Sequence, residues 1–288
     1  MNNNYSVLMS VYYKEKPEWL DKSIQSMLNQ TIVTNDFVLV EDGPLTKELD
    51  EIINKYIKNN PSLFNVIKLK ENVGLGPALK IGLENCKNEL VARMDSDDIA
   101  ICERCEKQLK KFEDDKNLDL CGSNIAEFID DIENVQAYRK LPETDEDIKD
   151  YMRRRNPFGH PSVMFKKSIV LEAGNYRTYY LCEDYDMWVR MAKNNAKFYN
   201  IQDTLVYMRI SEDFYKRRGG IKYLNSILKF KNEQYRNGFY TTKDYIISST
   251  TSIIVCLMPN TFRELFYKKF LRKGKQHEKK ENRCDNIT

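Results

Sequence analysis

Three carboxylates fall within four residues at Asp95-Ser96-Asp97-Asp98, directly after the apolar run Val91-Ala92-Arg93-Met94. Like charges crowded at the end of a buried strand repel one another, and burying them without partners is costly. A bound cation relieves both problems. Hard divalent ions such as Mn²⁺ or Mg²⁺ prefer oxygen ligands and share sites with phosphates. The cluster reads as a metal–diphosphate site, or as a solvated acidic turn capping the helix that follows. A second acidic pair, Glu183-Asp184, opens a helix-patterned stretch that continues to Met191. A helix N-terminus stabilises such carboxylates through its dipole and free N–H groups. Beside a bound nucleotide-sugar, a carboxylate there has a second use, as general base toward an acceptor hydroxyl.

Other residues are read in the same two-sided way. Asp42 follows the run Phe37-Val38-Leu39-Val40-Glu41, where it accepts a hydrogen bond from a base or ribose, or is a plain turn residue before Gly43-Pro44. His160 stands in a Gly-His-Pro loop, as an acceptor contact, a metal ligand or a structural loop residue. Arg217-Arg218-Gly219-Gly220 either folds over a diphosphate through bidentate contacts or forms a solvated basic turn. Met187, Trp188 and Met191 read as packing on the helix that carries the acidic pair. No glycine fingerprint follows the first strand, where the sequence is Val11-Tyr12-Tyr13-Lys14-Glu15, and that argues against a nicotinamide enzyme.

The elements that position these residues follow from the spacing of apolar side chains. Strands are expected over Ser6–Val11, Phe37–Val40, Asn65–Leu69 and Leu90–Met94. Helical spacing separates them at Leu20–Leu28, Leu49–Ile57 and Ala78–Leu83, with Thr46 as a cap and Pro77 expected at a first helical position. Strand–helix alternation predicts a parallel sheet with right-handed crossovers. The pattern then changes to a helix over Ile101–Phe112, strands over Leu118–Ile129 and Val135–Leu141, and a helix after Thr144. An arginine-rich loop, Arg153 to Pro161, leads to a strand at Ser162–Phe165 and a helix at Lys167–Ala173. Strands are expected at Phe198–Ile201 and Leu205–Ile210, and helix from Ile221 to about Leu271, broken near Gly238 and at Pro259.

Composition narrows the classes. The 288 residues are 41% hydrophobic and 31% charged, as in a globular chain. The start is polar and shows no signal-peptide pattern. Seven scattered cysteines favour reduced thiols, and Cys102-x-x-Cys105 has no second pair to complete a zinc site. From Phe262 onward nine Lys/Arg face four Asp/Glu, a net +5, which leaves the preceding residues at −2. The basicity therefore belongs to the tail, and a nucleic-acid-binding body is not expected. Tyr245 to Met258 is the most apolar C-terminal stretch, but fourteen residues with five consecutive Ser/Thr are too short and too polar to span a bilayer. Ile246, Ile247, Ile253, Ile254, Leu257 and Met258 share a helical face. Phe262, Leu265, Phe266 and Phe270 follow among Arg263, Lys268, Lys269, Arg272 and Lys273. This suits an anionic membrane surface, or a helix packed on the core.

Taken in order, SVLMSVYYKE, DFVLVEDGP, ENVGLGPALKIGL, ELVARMDSDD, NPFGHPSVMF and CEDYDMWVRM form a pattern over about residues 5 to 220. That pattern resembles the family 2 inverting glycosyltransferases of GT-A fold, especially the bacterial enzymes of O-antigen and capsule assembly. The resemblance implies an α/β fold, Rossmann-like, with a mostly parallel sheet, helices on both faces and a helical C-terminal appendage. It implies a GT-A catalytic domain over 1–210, with a nucleotide-sugar half at about 1–100 and an acceptor half at about 101–210. The appendage is 211–288. Val11, Tyr12 and the Asp42 turn would hold uracil, and Arg93 and Arg218 the phosphates. Asp95 would serve ribose and metal, Asp97 would ligate Mn²⁺ or Mg²⁺ directly, and Asp98 would support them. Asp184 matches the catalytic base, with Glu183 orienting it or the acceptor. Asp98 or His160 would complete the metal shell or meet the acceptor. The implied partners are a UDP-sugar, UDP-glucose or UDP-galactose first, and a polyprenyl-diphosphate-linked saccharide. The implied location is cytoplasmic, peripheral on the inner face of the membrane. Two rivals remain. A sugar-phosphate nucleotidyltransferase would want a glycine-rich basic loop where Tyr12-Tyr13-Lys14-Glu15 stands, and the other rival is a non-catalytic glycan-binding module.

Overall fold

A computed structural model describes residues 4–211 and 213–266. The expected helix to about 271, with Lys268, Lys269, Phe270, Arg272 and Lys273, therefore reaches beyond the described residues. The chain opens with β1 (Tyr5–Val11), α1 (Pro17–Leu28), β2 (Asp36–Glu41), α2 (Lys47–Asn59), β3 (Phe64–Lys68), α3 (Leu75–Asn85) and β4 (Leu90–Asp95). These elements follow their side chains. Pro17 begins α1, whose Leu20, Ile24 and Met27 are buried. The Thr46 side chain accepts from the Leu49 amide at the start of α2. Helix α3 begins at Leu75, so Pro77 sits in its first turn, where the N–H it lacks would be unpaired anyway.

The second half contains β5 (Ile99–Ala100), α4 (Arg104–Asp114), β6 (Leu120–Ile129), β7 (Asp131–Arg139) and α5 (Asp145–Met152). A 3₁₀ turn (His160–Ser162) leads to β8 (Met164–Lys166), α6 (Lys167–Glu172), α7 (Glu183–Lys193) and β9 (Phe198–Arg209). The helices α8 (Asp213–Lys216), α9 (Gly220–Arg236), α10 (Thr242–Leu257) and α11 (Asn260–Phe266) complete the described chain.

Among the described residues nine strands form one sheet, in the order β3-β2-β1-β4-β8-β6-β9-β5, with β7 on β6. The first four strands are parallel. Beyond β4 the sheet is mixed: β8 runs antiparallel to β4 and β6, while β6 and β9 are parallel. Apolar side chains fill both faces. Val7, Met9, Val11, Phe37 and Leu39 pack with α1, α2 and α4 residues, whereas Leu8, Val38 and Val91 pack with α3 and α7. Strand β9 ends one residue short of the expected division at 210. The helices after it are not detached from the core, since Ile227, Phe230 and Cys256 share a buried cluster with Trp188.

Candidate active site

Strands β2, β1 and β4 run parallel and end together. From β1 the chain continues to β2 on one side, and β4 lies on the other. Open α/β sheets bind ligands at such a reversal of strand order, beyond the carboxyl ends. Strand β4 carries Arg93 in its interior and delivers Asp95 as its last residue. Arg93 is buried, and its Nη2 donates to Asp95 Oδ1 at 2.5 Å. Carboxylate oxygens of Asp95, Asp97 and Asp98 lie within 4.8 Å of one another. His160 does not join that cluster.

Arg209, the last residue of β9, forms the opposite wall. Its backbone N–H donates to Asp98 Oδ1 at 2.7 Å, its Nε to the Asp97 carbonyl at 3.0 Å, and its Nη1 to the Asp130 carbonyl at 2.7 Å. The guanidinium lies between two rings, 4.5 Å from the Trp19 centroid and 4.4 Å from that of Phe128. From the loop after β1, Glu15 adds another carboxylate, whose Oε2 accepts from Ser96 Oγ at 2.5 Å. Neither residue stands out in the sequence as a site residue. An arginine after the apolar run Leu205–Met208 is the signal available for Arg209; Glu15 offers none beyond its place after β1.

Crowding shows in the acidities. Burial, then the charges of Asp95 and Glu15, pushes Asp97 up to about 8. Burial, then Asp97 and Asp95, raises Asp98 well above the ordinary aspartate range. Burial also raises Glu15. Asp98 Oδ2 is buried without a hydrogen-bond partner. An all-oxygen donor set, an orphaned buried carboxylate oxygen and mutual repulsion together fit a hard divalent cation.

The nucleotide side is built on loops. The Asp42 amide donates to the Val11 carbonyl at 2.8 Å, which ties the ends of β1 and β2 together. The Asp42 carboxylate accepts from the Val73 and Gly74 amides at 2.7 and 3.1 Å and from Asn72 Nδ2 at 3.0 Å. Its visible task is thus to brace the β3–α3 loop. Tyr12 is exposed beside it (39%), open to a stacking partner.

The second acidic pair begins α7. Asp184 Oδ2 accepts from Asn156 Nδ2 at 2.6 Å, and Oδ1 from the Tyr185 amide at 2.7 Å. Burial raises Asp184, against the pull of Asn156, the Tyr185 amide, Arg93 and Arg218. Burial, then Asp184, pushes Glu183 up to about 7. A Cβ at Gly76 would lie 2.6 Å from the Arg177 carbonyl, so only glycine lets the start of α3 close against the chain leading into α7. His160 meets the Tyr176 hydroxyl through Nε2 at 3.0 Å. Burial, then the Arg93 charge, holds it well below the usual histidine range, hence neutral. The Arg93 charge thus acts on His160, Glu183 and Asp184 as well as on its bonded partner Asp95. Arg218 rests over the Phe214 ring at 3.8 Å, and its charge reaches Asp184, while that of Arg217 reaches Tyr12. The charges of the basic turn thus act on both halves of the site.

A sequence model of the family described as "Glycosyl transferase family 2" matches residues 6–171. The chain is 36% identical to the UDP-Gal:alpha-D-GlcNAc-diphosphoundecaprenol beta-1,3-galactosyltransferase of Escherichia coli, across 93% of this chain and 97% of that one. It is 35% identical to the amylovoran biosynthesis glycosyltransferase AmsE of Erwinia amylovora, across 94% and 100%. Two solved structures share the fold. One is the mannosyltransferase PcManGT from Pyrobaculum calidifontis in complex with GDP-Man and Mn²⁺, with TM-score 0.63 and 13% identity over 90% of this chain and 71% of that one. The other is S. aureus TarS 1-349 in complex with UDP-GlcNAc, with TM-score 0.58 and 17% identity over 92% and 87%.

Proposed function

This chain belongs to glycosyl transferase family 2, and from that premise we propose that it moves a hexose, galactose or glucose, from a UDP-sugar to a saccharide joined through a diphosphate to a polyprenyl lipid. The observation that carries this reading is a division of the site. The Asp95–Asp98 carboxylates stand at the end of β4 and the Glu183-Asp184 pair at the start of α7, with buried Arg93 bonded to Asp95 and its charge acting on Glu183 and Asp184. One cluster suits a leaving nucleoside diphosphate, the other an incoming hydroxyl. The E. coli relative's name states such a donor and acceptor, and that of the E. amylovora relative a place in amylovoran biosynthesis, which supports this reading.

In this reading Tyr12 and the Val11–Asp42 junction receive the uracil. Arg93 fixes the orientation of Asp95, and Arg218 closes toward the diphosphate. Asp95 and Asp97, with Asp98 behind them, would hold a divalent cation, Mn²⁺ or Mg²⁺, which when bound supplies positive charge to the departing diphosphate. Asp184 takes the proton of the acceptor hydroxyl as its oxygen attacks the anomeric carbon from the face opposite the leaving group. One displacement of this kind inverts the configuration. Glu183, packed beside Asp184, orients the acceptor. The C-terminal helices carry a row of apolar side chains more than half exposed, Ile246, Ile247, Ile254, Leu257, Phe262 and Leu265. Among the described residues no helix is long and apolar enough to cross a membrane. Attachment to the membrane surface through this row would bring the enzyme to a lipid-held acceptor.

The test is UDP release from UDP-galactose and UDP-glucose with Mn²⁺ and an N-acetylglucosamine-diphosphate-lipid acceptor. Asp184→Asn should keep UDP binding and lose about 10²–10⁴-fold in turnover. Asp97→Ala should lose Mn²⁺-stimulated turnover. A fully active Asp97→Ala would sink the cation assignment, and a near-normal Asp184→Asn would move the base elsewhere.

A further inference from the structure

The sugar, diphosphate and lipid of such an acceptor are joined in a fixed order. If Asp184 receives the sugar hydroxyl, the diphosphate lies one sugar ring away and the lipid beyond it. The protein shows a matching order of chemistry. Asn156, which holds Asp184 Oδ2, is preceded directly by Arg153, Arg154 and Arg155 on the turn leaving α5. Arg153 and Arg154 are exposed and Arg155 is partly so. The far side of this run meets the start of α10. There Arg153 Nη1 lies 3.9 Å from Asp244 Oδ2, within the capping box that Asp244 forms with Thr241. The Tyr185 hydroxyl joins the same corner, donating to the Met152 carbonyl at 2.5 Å and lying 3.1 Å from the Tyr240 hydroxyl. Two residues past Asp244 the exposed apolar row begins at Ile246 and Ile247. Outward from the base the molecule thus offers one amide, three arginines and an apolar helix face.

Arg154 and Arg155 are only weakly held elsewhere. Arg155 lies over the Tyr151 ring at 5.6 Å, and among the described residues no carboxylate or other acceptor meets its guanidinium. Arg154 has an exposed pair with Asp150 at 3.4 Å, of a kind that contributes little and exchanges easily. A planar fork of N–H donors is the group best matched to phosphate oxygens. Resting on the acceptor assigned under Proposed function, we propose that Arg154 and Arg155, flanked by Arg153, form the subsite that binds the acceptor's diphosphate and select lipid-diphosphate saccharides over neutral glycosides. Anionic lipid headgroups present the same phosphate chemistry, so the experiment must separate the two sources.

The probes are N-acetylglucosamine on phenylundecyl diphosphate and the same sugar on a neutral phenylundecyl glycoside, each in neutral detergent micelles. Equilibrium binding is measured for wild type and for the double variant Arg154→Gln, Arg155→Gln, with UDP binding in Mn²⁺ reporting an intact donor site. The variant should bind the diphosphate probe about tenfold more weakly or worse, with the neutral probe unchanged. An unchanged preference for the diphosphate probe overturns the proposal. It is equally overturned if the variant loses only binding to phosphatidylglycerol vesicles, since the arginines would then read headgroups. Failure of the underlying reading looks different: wild type would bind the diphosphate probe yet release no UDP from either donor.

Discussion

The residue proposed to receive the acceptor proton works in an unusual setting. Asp184 is buried, raised by that burial, and adjacent to Glu183, which burial and Asp184 together push up to about 7. A base acts only when deprotonated, so raising its pKa moves the acidic limb of the rate profile upward. Turnover should therefore be full above the raised value and fall as pH drops through it, at higher pH than an ordinary aspartate would give. The Asn156 amide, the Tyr185 N–H and Arg93 oppose the shift and favour the ionised form. Glu183→Gln leaves Asp184 as the one carboxylate of the pair, so no like charge beside it opposes its ionisation. The acidic limb should move to lower pH, while turnover at the plateau falls because the acceptor is less well oriented. The measurement is kcat against pH for both proteins with saturating donor. An acidic limb at the same pH in both would mean that another group controls it.

Among the elements, β9 is the one whose importance exceeds its sequence signal. The apolar pattern predicts two pieces, Phe198–Ile201 and Leu205–Ile210, because Gln202-Asp203-Thr204 interrupts it. The strand is continuous because the ladder to β6 bulges there: Ser123 pairs with Ile201 and Asn124 with Thr204, so two polar residues loop out without ending the strand. Its end then reaches the aspartate cluster across 111 residues of sequence, through the Arg209 amide on Asp98. The first four strands, the Asp95–Asp98 cluster and the α7 start are legible in the sequence because each is local: an apolar run, a charge cluster, an acidic pair opening a helix. The Arg209 wall, the Glu15 carboxylate and the two-residue β5 are not, since their meaning lies only in what folds against them. Arg209 touches the Asp97 carbonyl and is clamped by Trp19 and Phe128. Arg209→Met should thus weaken Mn²⁺ binding about 10–100-fold, read as the Mn²⁺ concentration giving half-maximal UDP binding. Arg209→Lys should not rescue it, since a point charge lacks the planar stacking face and the second donor. Full rescue by Lys would show that charge alone matters.

At the scale of the whole molecule, the helices after β9 join the site to the surface that would face a membrane. Arg263 of α11 donates to the Val255, Cys256 and Met258 carbonyls at the end of α10 and to Asn260. It also closes on Gly219, where any Cβ would overlap its guanidinium, so the turn that carries Arg217 and Arg218 is set directly against the C-terminal helices. Buried Ser248, Ser249 and Cys256 line the inner side of α10, whereas Ile246, Ile247, Ile254 and Leu257 face outward. One helix thus shows one face to the core and an apolar one to solvent, an exposed patch of the kind that meets a membrane or a partner. Each buried methylene contributes about 0.8 kcal/mol to insertion, so four large side chains matter more than any single charge nearby. Replacing Ile246, Ile247, Ile254 and Leu257 together by Ser leaves the buried face intact, and the variant should fold and bind UDP as wild type does. It should sediment with phosphatidylglycerol-containing vesicles at least about tenfold more weakly. Its turnover should fall for an acceptor embedded in those vesicles but not for a short-chain acceptor in solution. If the variant sediments as well as wild type, the apolar row of α10 is not the attachment surface.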